Sequence, residues 1–336
     1  MTLKDIAEKA GVSTMTVSNV INKRYGHVSA KTIEKIEKII QEYHYVPNLS
    51  ARSLTNKTSN IIGILVSENN DSPSFLENPY AGTIIGTLEQ ALKKHGYYTM
   101  LRSITQKEDL LYLIKNWHVD GIVFLYPEKS EFLDTVCRDA ECPVAVFDSD
   151  TQNPDIINVC SDDFKGLYLS TEHLIQKGHS RIAFAADYRE NPLLSRRFYG
   201  YRQALKDYGI PFSEASVIFC APTYEGGITA GAILAGKSPS FSGVVTTSDL
   251  CAVGIIEGCR RNYLQVPHDI SVIGYDNSSV CNYTFPALTS ISQNMQQKAE
   301  TAADLLLEKI NTGKLAKPHF QLLPVKLVVR ASTMEK

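Results

Sequence analysis

Polar side chains stand at the ends of several apolar runs in the chain, where they could bind a small polar ligand. Asp148 ends the run PVAVFD, Ser248 and Asp249 end VVTTSD, and Asp276 ends SVIGYD. In open α/β sheets, ligands bind in the crevice at the carboxyl ends of the strands. Carboxylates supply paired acceptors and an arginine supplies paired donors, which suits the adjacent hydroxyls of a sugar. Arg197, in the segment SRRFYGY, is the candidate donor.

A single aspartate at the end of a strand also has a structural interpretation. Such a residue often caps the helix that follows it, because its carboxylate accepts a free backbone N–H. Several positions that converge on one edge favour the ligand site instead, above all for Arg197 and Asp276. Tyr80, in the loop ENPY that follows the first apolar run, is a further candidate.

The sequence does not support catalytic, metal-binding or membrane functions. It contains no GxSxG, HExxH, GxGxxG or P-loop run, so we expect no catalytic residues and no enzyme activity. The seven cysteines show no CxxC motif and no Cys/His cluster, which predicts reduced thiols, no metal and no cofactor. No signal peptide and no run of about eighteen apolar residues is present, so we expect a cytoplasmic protein that does not contact a membrane.

The apolar runs predict the strands of an α/β body. Residues 61–66 form a continuous apolar run, as a strand buried on both faces requires. Further strands are predicted at residues 98–101, 122–125, 144–147, 182–186, 217–219, 243–246 and 271–273, with a tail at 322–329. Between them the pattern predicts helices at residues 83–94, 110–116, 167–177, 199–208 and 296–310, one ending at 234 and one running through 259. This alternation restarts after residue 160 and predicts two doubly wound parallel-sheet lobes.

The first sixty residues have the pattern of three short helices instead. Thr2 and Asp5 have the spacing of a capping box, and Gly11 suits the left-handed end of a first helix. Ser13 can cap a second helix at residues 14–22, and Ser29 can cap a third. Two short helices, a glycine turn and a bracing helix predict an all-α helix-turn-helix head, whose second helix enters the DNA major groove. A three-helix bundle without DNA function has the same helical pattern.

The charge is distributed unevenly along the chain. The whole protein has a net charge of −2, but residues 1–60 carry nine basic and five acidic side chains, a net charge of +4. The remaining residues carry 25 basic and 31 acidic side chains, a net charge of −6. A basic head on an acidic body fits a nucleic-acid-binding head, although ordinary surfaces also reach this charge.

Two motifs resemble the LacI/GalR (lactose-repressor) family of bacterial transcription regulators. The run KDIAEKAGVS, followed two residues later by TVS, resembles the N-terminus of that family, and YVPN-x-x-ARSL resembles its hinge segment. The resemblance continues to the C-terminus and implies a periplasmic-binding-protein-like body whose chain crosses three times between the lobes. We therefore predict a helix-turn-helix domain at 1–46 and a hinge helix and linker at 47–60. The first lobe would combine 61–160 with 291–321, and the second lobe 161–290 with 322–336.

The resemblance implies DNA contacts from the head and the hinge. The positions that carry over are Ser13, Thr14, Met15, Thr16, Ser18, Asn19, Asn48 and Leu54. Thr14, Met15 and Asn19 would read bases, and the neighbouring hydroxyls would hold phosphates. Asn19 departs from the arginine often found there and suits adenine, whereas arginine suits guanine. Leu54 would insert into a minor-groove step and kink the DNA. Without the resemblance, these positions are ordinary exposed helix or linker residues.

The resemblance also implies an effector site between the lobes. Its positions in this chain are Tyr80, Asp148, Arg197, Ser248, Asp249, Asp276 and Gln293. The chain departs from the family pattern at Ala81, at Pro222 and at Ser248, where asparagine is usual. A glucose-like or galactose-like effector therefore does not follow from the resemblance.

These observations predict a homodimeric, sequence-specific transcription repressor that binds a pseudo-palindromic operator in double-stranded DNA. A small polar effector, a sugar or sugar derivative, would control its operator affinity. Sugar-responsive members mostly release DNA when the effector binds, but the sequence does not fix the sign. Two alternatives remain open at this point: control by a protein co-effector, and a sugar-binding receptor without DNA function.

Overall fold

The computed structural model describes residues 1–21, 23–45, 58–67, 75–104, 118–126, 130–187, 192–237 and 241–336. The chain divides into two compact units, Met1–Ser59 and Asn60–Lys336. Asn48, Leu54 and the predicted helix at 110–116 lie outside the described residues. Within these described ranges, no helix is long and apolar enough to cross a membrane.

The described part of the first unit contains the α-helices α1 (Leu3–Ala10), α2 (Thr14–Ile21) and α3 (Ala30–Glu42). The predicted capping box is confirmed. The Thr2 backbone N–H donates to Asp5 Oδ2 at 2.7 Å, and the Asp5 N–H donates to Thr2 Oγ1 at 3.3 Å. Gly11 ends α1 with a φ of 70°, a left-handed conformation that glycine adopts without a steric penalty. The turn between α1 and α2 is therefore short and well defined.

Apolar side chains from all three helices form the core of the first unit. Ile6 of α1, Val17 of α2 and Ile36 of α3 are fully buried. Lys35 of α3 donates from Nζ to the carbonyl of Ala10 at 2.9 Å and so satisfies one of the free carbonyl groups at the end of α1. One face of α2 thus packs against the other two helices, and its opposite face carries the exposed side chains of Thr14 and Met15.

The second unit consists of two six-stranded sheets and the helices that cover them. Its strands are β1 Ile61–Ser67, β2 Tyr98–Ile104, β3 Gly121–Leu125, β4 Val144–Phe147, β5 Ile156–Ser161, β6 Ile182–Ala185, β7 Val217–Ile218, β8 Gly243–Thr246, β9 Ser271–Asp276, β10 Thr289–Ser292, β11 Phe320–Leu323 and β12 Lys326–Val328. Its described helices are α4 Pro79–Lys94, α5 Ser130–Asp139, α6 Asp163–Gln176, α7 Pro192–Asp207, α8 Tyr224–Gly236, α9 Asp249–Arg261 and α10 Met295–Thr312.

The two sheets have the strand order of doubly wound folds. The first sheet runs β11-β5-β4-β3-β1-β2 and the second β12-β10-β9-β8-β6-β7. All pairs in the first sheet are parallel, and β12 is antiparallel to its neighbour in the second sheet. The predicted fold class, a helix-turn-helix head followed in the chain by two parallel-sheet α/β lobes, is confirmed.

The chain passes three times between the sheets, after Ser161, after Ser292 and after Leu323. Helix α10 follows the second sheet in the chain but packs on the first, where Leu305, Leu306 and Ala302 join the buried face of that sheet. Strand β11 ends at residue 323, so residues 322 and 323 pair within the first sheet, although we predicted them as the start of the second lobe's last segment.

One helix begins earlier than its apolar pattern predicts, and two strands were not predicted because they lack a continuous apolar run. Helix α4 begins at Pro79 rather than at residue 83, because the Asn78 side chain accepts the Tyr80 N–H at 2.9 Å and proline is well placed in a first turn. Tyr80 therefore lies in a helix, not in the loop that we predicted. Strands β5 and β10 were not predicted, since Asn158, Ser161 and the Thr/Ser residues of β10 interrupt the apolar pattern.

Helices α8 and α9 approach each other closely through glycines. A Cβ on Gly254 would lie 2.1 Å from the carbonyl oxygen of Tyr224, and a Cβ on Gly227 would lie 2.2 Å from that of Cys251. No larger residue fits at either position unless a backbone moves. The two helices therefore form a rigid pair beside the carboxyl ends of β8 and β9.

Candidate functional site

The start of α2 presents polar and apolar side chains on the surface of the first unit. Ser13 caps the helix, because its Oγ accepts the Thr16 N–H at 3.1 Å and lies 3.0 Å from the Thr16 hydroxyl. Val17 is buried on the inner face, whereas Thr14 is exposed on the outer face and Met15 is 71% exposed. Ser18 and Asn19 are half-buried beside them. The first turn of α2 is thus open to a partner.

Asp148 is the centre of a polar cluster at the carboxyl end of the first sheet. It follows β4 with a φ of 52°, in the left-handed region. Its Oδ1 accepts the Ser161 N–H at 3.0 Å, and its Oδ2 accepts the Tyr80 hydroxyl at 3.1 Å. Burial and the Asp148 carboxylate raise the pKa of Tyr80 well above its usual value, so the phenol remains a donor.

Lys298 completes this cluster from α10, and its side chain is fully buried. Its Nζ forms an ion pair with Asp148 Oδ2 and donates to Ser161 Oγ and to Gln293 Oε1, both at 3.0 Å. An ammonium group has three donors, so these contacts use all of them. The buried charge is therefore both paired and fully hydrogen-bonded, as a stable buried cation requires.

Gln293 connects this cluster to the second lobe. It lies in the segment between β10 and α10, is 1% exposed, and donates from Nε2 to Asp276 Oδ1 at 2.5 Å. Asp276 ends β9 with a φ of 116°, a conformation that L residues rarely adopt. Burial raises the pKa of Asp276, and the nearby carboxylate of Asp249 raises it further. A continuous chain of hydrogen bonds thus runs from Asp148 through Lys298 and Gln293 to Asp276.

Arg197 of α7 is held rigidly in the second lobe. Its Nε donates to Asp163 Oδ1 at 2.8 Å and its Nη1 to the Thr247 carbonyl at 2.6 Å. Its guanidinium carbon lies 3.7 Å from the centre of the Tyr275 ring, and the Tyr275 hydroxyl donates to the same Asp163 oxygen at 2.9 Å. Burial raises the pKa of Asp163, and the Arg197 charge opposes that rise. Arg197 is 5% exposed, so its orientation is fixed before any ligand arrives.

Tyr126 is an aromatic residue of the first lobe whose pKa is affected by carboxylates of both lobes. Its ring centre lies 6.1 Å from that of Tyr80. Burial raises the pKa of Tyr126, and the carboxylates of Asp276 and Asp148 raise it further. Tyr126 and Tyr80 therefore form an aromatic wall close to the acidic groups of the crevice.

Ser248 and Asp249 make their contacts within the second lobe. Ser248 caps α9, since its Oγ accepts the Cys251 N–H at 3.1 Å, and it donates to the Pro222 carbonyl at 3.1 Å. Asp249 is buried and accepts the N–H of Ser278 at 2.7 Å and the hydroxyls of Ser278 and Ser290, at 2.9 and 2.5 Å. These bonds hold the loop after Asp276 in place. Both residues support the site in the described structure.

The structure therefore brings Tyr80, Asp148, Asp276 and Gln293 into one hydrogen-bonded network, with Arg197 clamped in the second lobe. It adds residues that the sequence analysis did not select: Ser161, Asp163, Lys298 and Tyr126. Ser161 is the last residue of β5 and Asp163 lies two residues further on; because β5 was not predicted, their position at a strand end was not visible. Lys298 lies in the pattern of an amphipathic helix, where a lysine ordinarily faces solvent. The described residues contain no cluster of side chains suited to a metal ion.

Two family models match the chain. The model for bacterial regulatory proteins of the lacI family matches residues 2–48, which contain the helix-turn-helix. The model for a periplasmic binding protein-like domain matches residues 171–333, which contain all six strands of the second sheet and helix α10. The two matches therefore fall on the head and on the body.

Curated relatives match over the whole length. The HTH-type transcriptional regulator CelR of Thermobifida fusca is 33% identical over 336 residues, and the alignment covers 98% of this chain and 98% of the relative. The HTH-type transcriptional repressor PurR of Vibrio campbellii is 31% identical over 340 residues, which cover 100% of this chain and 99% of the relative. Both relatives are transcriptional regulators.

Solved structures have the same fold. A lac repressor dimer bound to operator and the anti-inducer ONPF matches with a TM-score of 0.87 at 28% identity, over 99% of each chain. A complex of the transcriptional regulator CelR with cellobiose matches with a TM-score of 0.74 at 30% identity, also over 99% of each chain. A LacI family regulator from Enterococcus faecium with bound ribose matches with a TM-score of 0.72 at 28% identity, over 82% of this chain and 99% of that one.

Proposed function

This chain belongs to the lacI family of bacterial regulatory proteins, and from that premise we propose a homodimeric repressor whose operator affinity is controlled by a small polar ligand bound between the two lobes. The protein is a helix-turn-helix transcriptional regulator. We assign it no catalytic step, and we place its action on the bacterial chromosome, in the cytoplasm.

The exposed face of α2 would bind the major groove of the operator. Thr14, Met15 and Asn19 would contact base edges from the first turns of the helix, and Ser13 and Thr16 would contact phosphates. Ser18 would hold a phosphate too, and the hinge residues Asn48 and Leu54 would bind the minor groove. A two-fold dimer places two such helices on the two halves of a pseudo-palindromic site.

The observation that carries the ligand proposal is the hydrogen-bond chain that links the lobes. Lys298 and Asp148 belong to the first lobe and Asp276 belongs to the second; Gln293 accepts a hydrogen bond from Lys298 and donates one to Asp276. A ligand with several hydroxyls can replace or extend the Gln293–Asp276 bond and so change the angle between the lobes. Arg197 would donate to the ligand, while Tyr80 would pack against it. Ser248 and Asp249 would line the second lobe's side of the site.

The charges of the site favour a neutral polyhydroxy ligand over a phosphate or a carboxylate. Among the described residues, the carboxylates of Asp148, Asp163, Asp249 and Asp276 lie near the cations of Arg197 and Lys298. Arg197 and Lys298 are each already paired with one of these carboxylates, so neither cation is left without a partner for an anionic ligand. Cellobiose and ribose, which are bound in two related structures, are neutral ligands of this kind.

Titration of a labelled operator, with fluorescence anisotropy as the readout, tests this proposal. Ligand coupling in regulators is typically about 1–3 kcal/mol, which corresponds to about 5–150-fold in operator affinity. We expect a response of that size to a neutral sugar from a panel that contains cellobiose and ribose, and no response to glucose 6-phosphate. The direction of the response decides between induction and co-repression.

Two arginine variants locate the ligand site. Arg197→Lys keeps the positive charge but removes the guanidinium group that donates to both Asp163 and Thr247. The change in operator affinity caused by the ligand should therefore fall at least tenfold, while operator affinity without ligand stays the same. Arg260→Lys is the matched control, because Arg260 is an exposed residue of α9 whose partner is Glu257. Equal responses in both variants would place the ligand elsewhere. A wild-type protein that answers no small molecule would favour a protein co-effector.

A further inference from the structure

We propose that Cys220 and Cys251 form a peroxide-sensitive thiol pair, which is oxidised reversibly to a disulfide at the edge of the ligand crevice. The two sulfur atoms lie 3.8 Å apart, in segments separated by 31 residues. Cys220 follows β7 and is partly exposed, whereas Cys251 lies in the first turn of α9 and is 1% exposed. A disulfide bond measures about 2.05 Å, so the sulfurs must approach each other by less than 2 Å.

The surrounding contacts keep the two segments together. Three residues before Cys251, Ser248 donates to the carbonyl of Pro222, two residues after Cys220, at 3.1 Å. Behind Cys251, its carbonyl oxygen packs on Gly227 of α8 so closely that a Cβ there would lie 2.2 Å away. Because both sides are fixed, the thiols remain in contact rather than meeting only in rare fluctuations.

The pair also has the asymmetry of an attacking and a resolving thiol. The two sulfur atoms share a hydrogen bond in which either thiol can be the donor, and this contact lowers the pKa of Cys220. The same contact and burial raise the pKa of Cys251 well above its usual value. A thiolate is the reactive form of cysteine, so the partly exposed Cys220 reacts first.

The oxidation balances with hydrogen peroxide as the oxidant. The Cys220 thiolate attacks one peroxide oxygen, an S–O bond forms, the O–O bond breaks, and the leaving hydroxide takes a proton to become water. The Cys251 sulfur then loses its proton and attacks the Cys220 sulfenic acid; the S–S bond forms and the S–O bond breaks. The hydroxide of the sulfenic acid takes the proton that Cys251 lost and leaves as water. A small dithiol reverses the reaction by thiol–disulfide exchange.

The disulfide would affect the ligand site, and this part rests on the function proposed above. Cys251 lies two residues after Asp249 and three after Ser248, which caps the same helix. A bond to Cys220 would shift the segment that carries Pro222 towards the start of α9. We therefore expect oxidation to change the ligand response by at least threefold, while operator binding without ligand remains within twofold.

Peptide mapping of the full-length protein tests the disulfide directly. Reduced protein is treated with equimolar hydrogen peroxide, alkylated, digested with trypsin and analysed by mass spectrometry. We expect a linked peptide two hydrogen atoms lighter than the sum of its parts, which a dithiol removes. Fragmentation must assign the link to Cys251 rather than Cys259, because both fall in one tryptic peptide.

Three variants complete the test. Cys220→Ser should abolish the link, whereas Cys137→Ser, a partly exposed thiol whose pKa burial raises, should leave it intact. In Cys251→Ser the sulfenic acid of Cys220 should persist and react with dimedone.

Full alkylation of both thiols after peroxide, or a link to another cysteine, would overturn the proposal. A correct link without any change in ligand response would overturn its regulatory part alone. A reduced protein that answers no sugar would contradict the proposed function instead, and the peptide map would still decide on the disulfide.

Discussion

Lys298→Met should destabilise the body strongly, because it leaves a buried carboxylate without its cation. Methionine keeps most of the length of the lysine stem, so the packing of α10 on the first sheet changes little. Asp148 retains the Tyr80 hydroxyl and the Ser161 N–H but loses the ammonium group. Gln293 loses one of the two donors to its Oε1.

The size of the effect follows from the burial of the pair. The Lys298 side chain is 0% exposed and that of Asp148 is 13% exposed, so solvent screens the interaction little. Removal of one partner from such a pair typically costs about 3–5 kcal/mol. Domains of about 150–250 residues lose roughly 2–4 °C in Tm per kcal/mol, so we expect a fall of about 6–20 °C.

A double-mutant cycle in urea separates the ion pair from the rest of the site. Asp148→Asn should also destabilise the protein, since it leaves the buried ammonium unpaired. The double variant should lie about 2 kcal/mol or more closer to the wild type than the sum of the single effects. Lys94→Met, at an exposed lysine, is the control and should change stability by less than about 0.5 kcal/mol. A loss below about 1 kcal/mol for Lys298→Met, the range of exposed pairs, would refute the reasoning.

Other variants test the remaining parts of the account. Asn19→Ala should weaken operator binding by about 1–3 kcal/mol and leave non-specific DNA binding unchanged, as competition titrations would measure; an equal loss on both DNAs would contradict base reading. Leu54→Ala should reduce operator affinity and DNA bending in gel assays without affecting sugar binding. Burial lowers the pKa of His179, so the folded state disfavours its charged form. Its contribution to the free energy of unfolding is therefore fully present above the unfolded pKa of about 6.5. It falls as the pH drops below that value, because the unfolded state then binds a proton more readily than the folded state. Urea unfolding between about pH 7.5 and 5.5 should show this slope, reduced in His179→Asn but not abolished, because burial lowers the pKa of His173 as well. Gly254→Ala should destabilise the body by several kcal/mol, since its Cβ would lie 2.1 Å from a backbone oxygen; a stable variant with an unchanged Tm would show that α8 and α9 can separate.

The strands that the sequence predicted are those with uninterrupted apolar runs. Strand β4 was predicted at the residues where the structure has it, because Val144–Phe147 is apolar on both faces. Strand β5 escaped prediction since Asn158 and Ser161 are polar, yet both are buried and hydrogen-bonded. A polar residue whose partner lies far along the chain looks like a surface residue until the fold brings the two together.

The ligand site was predictable only where a residue follows a visible strand. Asp148 and Asp276 end apolar runs, so topology alone places them at the carboxyl edge of a sheet. Lys298 arrives from a helix 150 residues after its partner Asp148, and nothing local distinguishes it from a solvated lysine. For Asp249 the sequence suggested a ligand contact, because the residue follows an apolar run, but its hydrogen bonds in the structure hold Ser278 and Ser290.

The return of α10 and β11 to the first sheet has a consequence for synthesis on the ribosome. Strand β1 emerges early, but α10, one of the helices that cover its sheet, ends at residue 312 and the edge strand β11 ends at residue 323. At about 5–20 residues per second, roughly 13–50 s separate the first strand from the last. During that time the apolar face that later receives Leu305 and Leu306 is covered by α4 but not yet by α10. We therefore expect the nascent protein to bind chaperones, and its first lobe is completed only after strands β6 to β10 of the second lobe have been made.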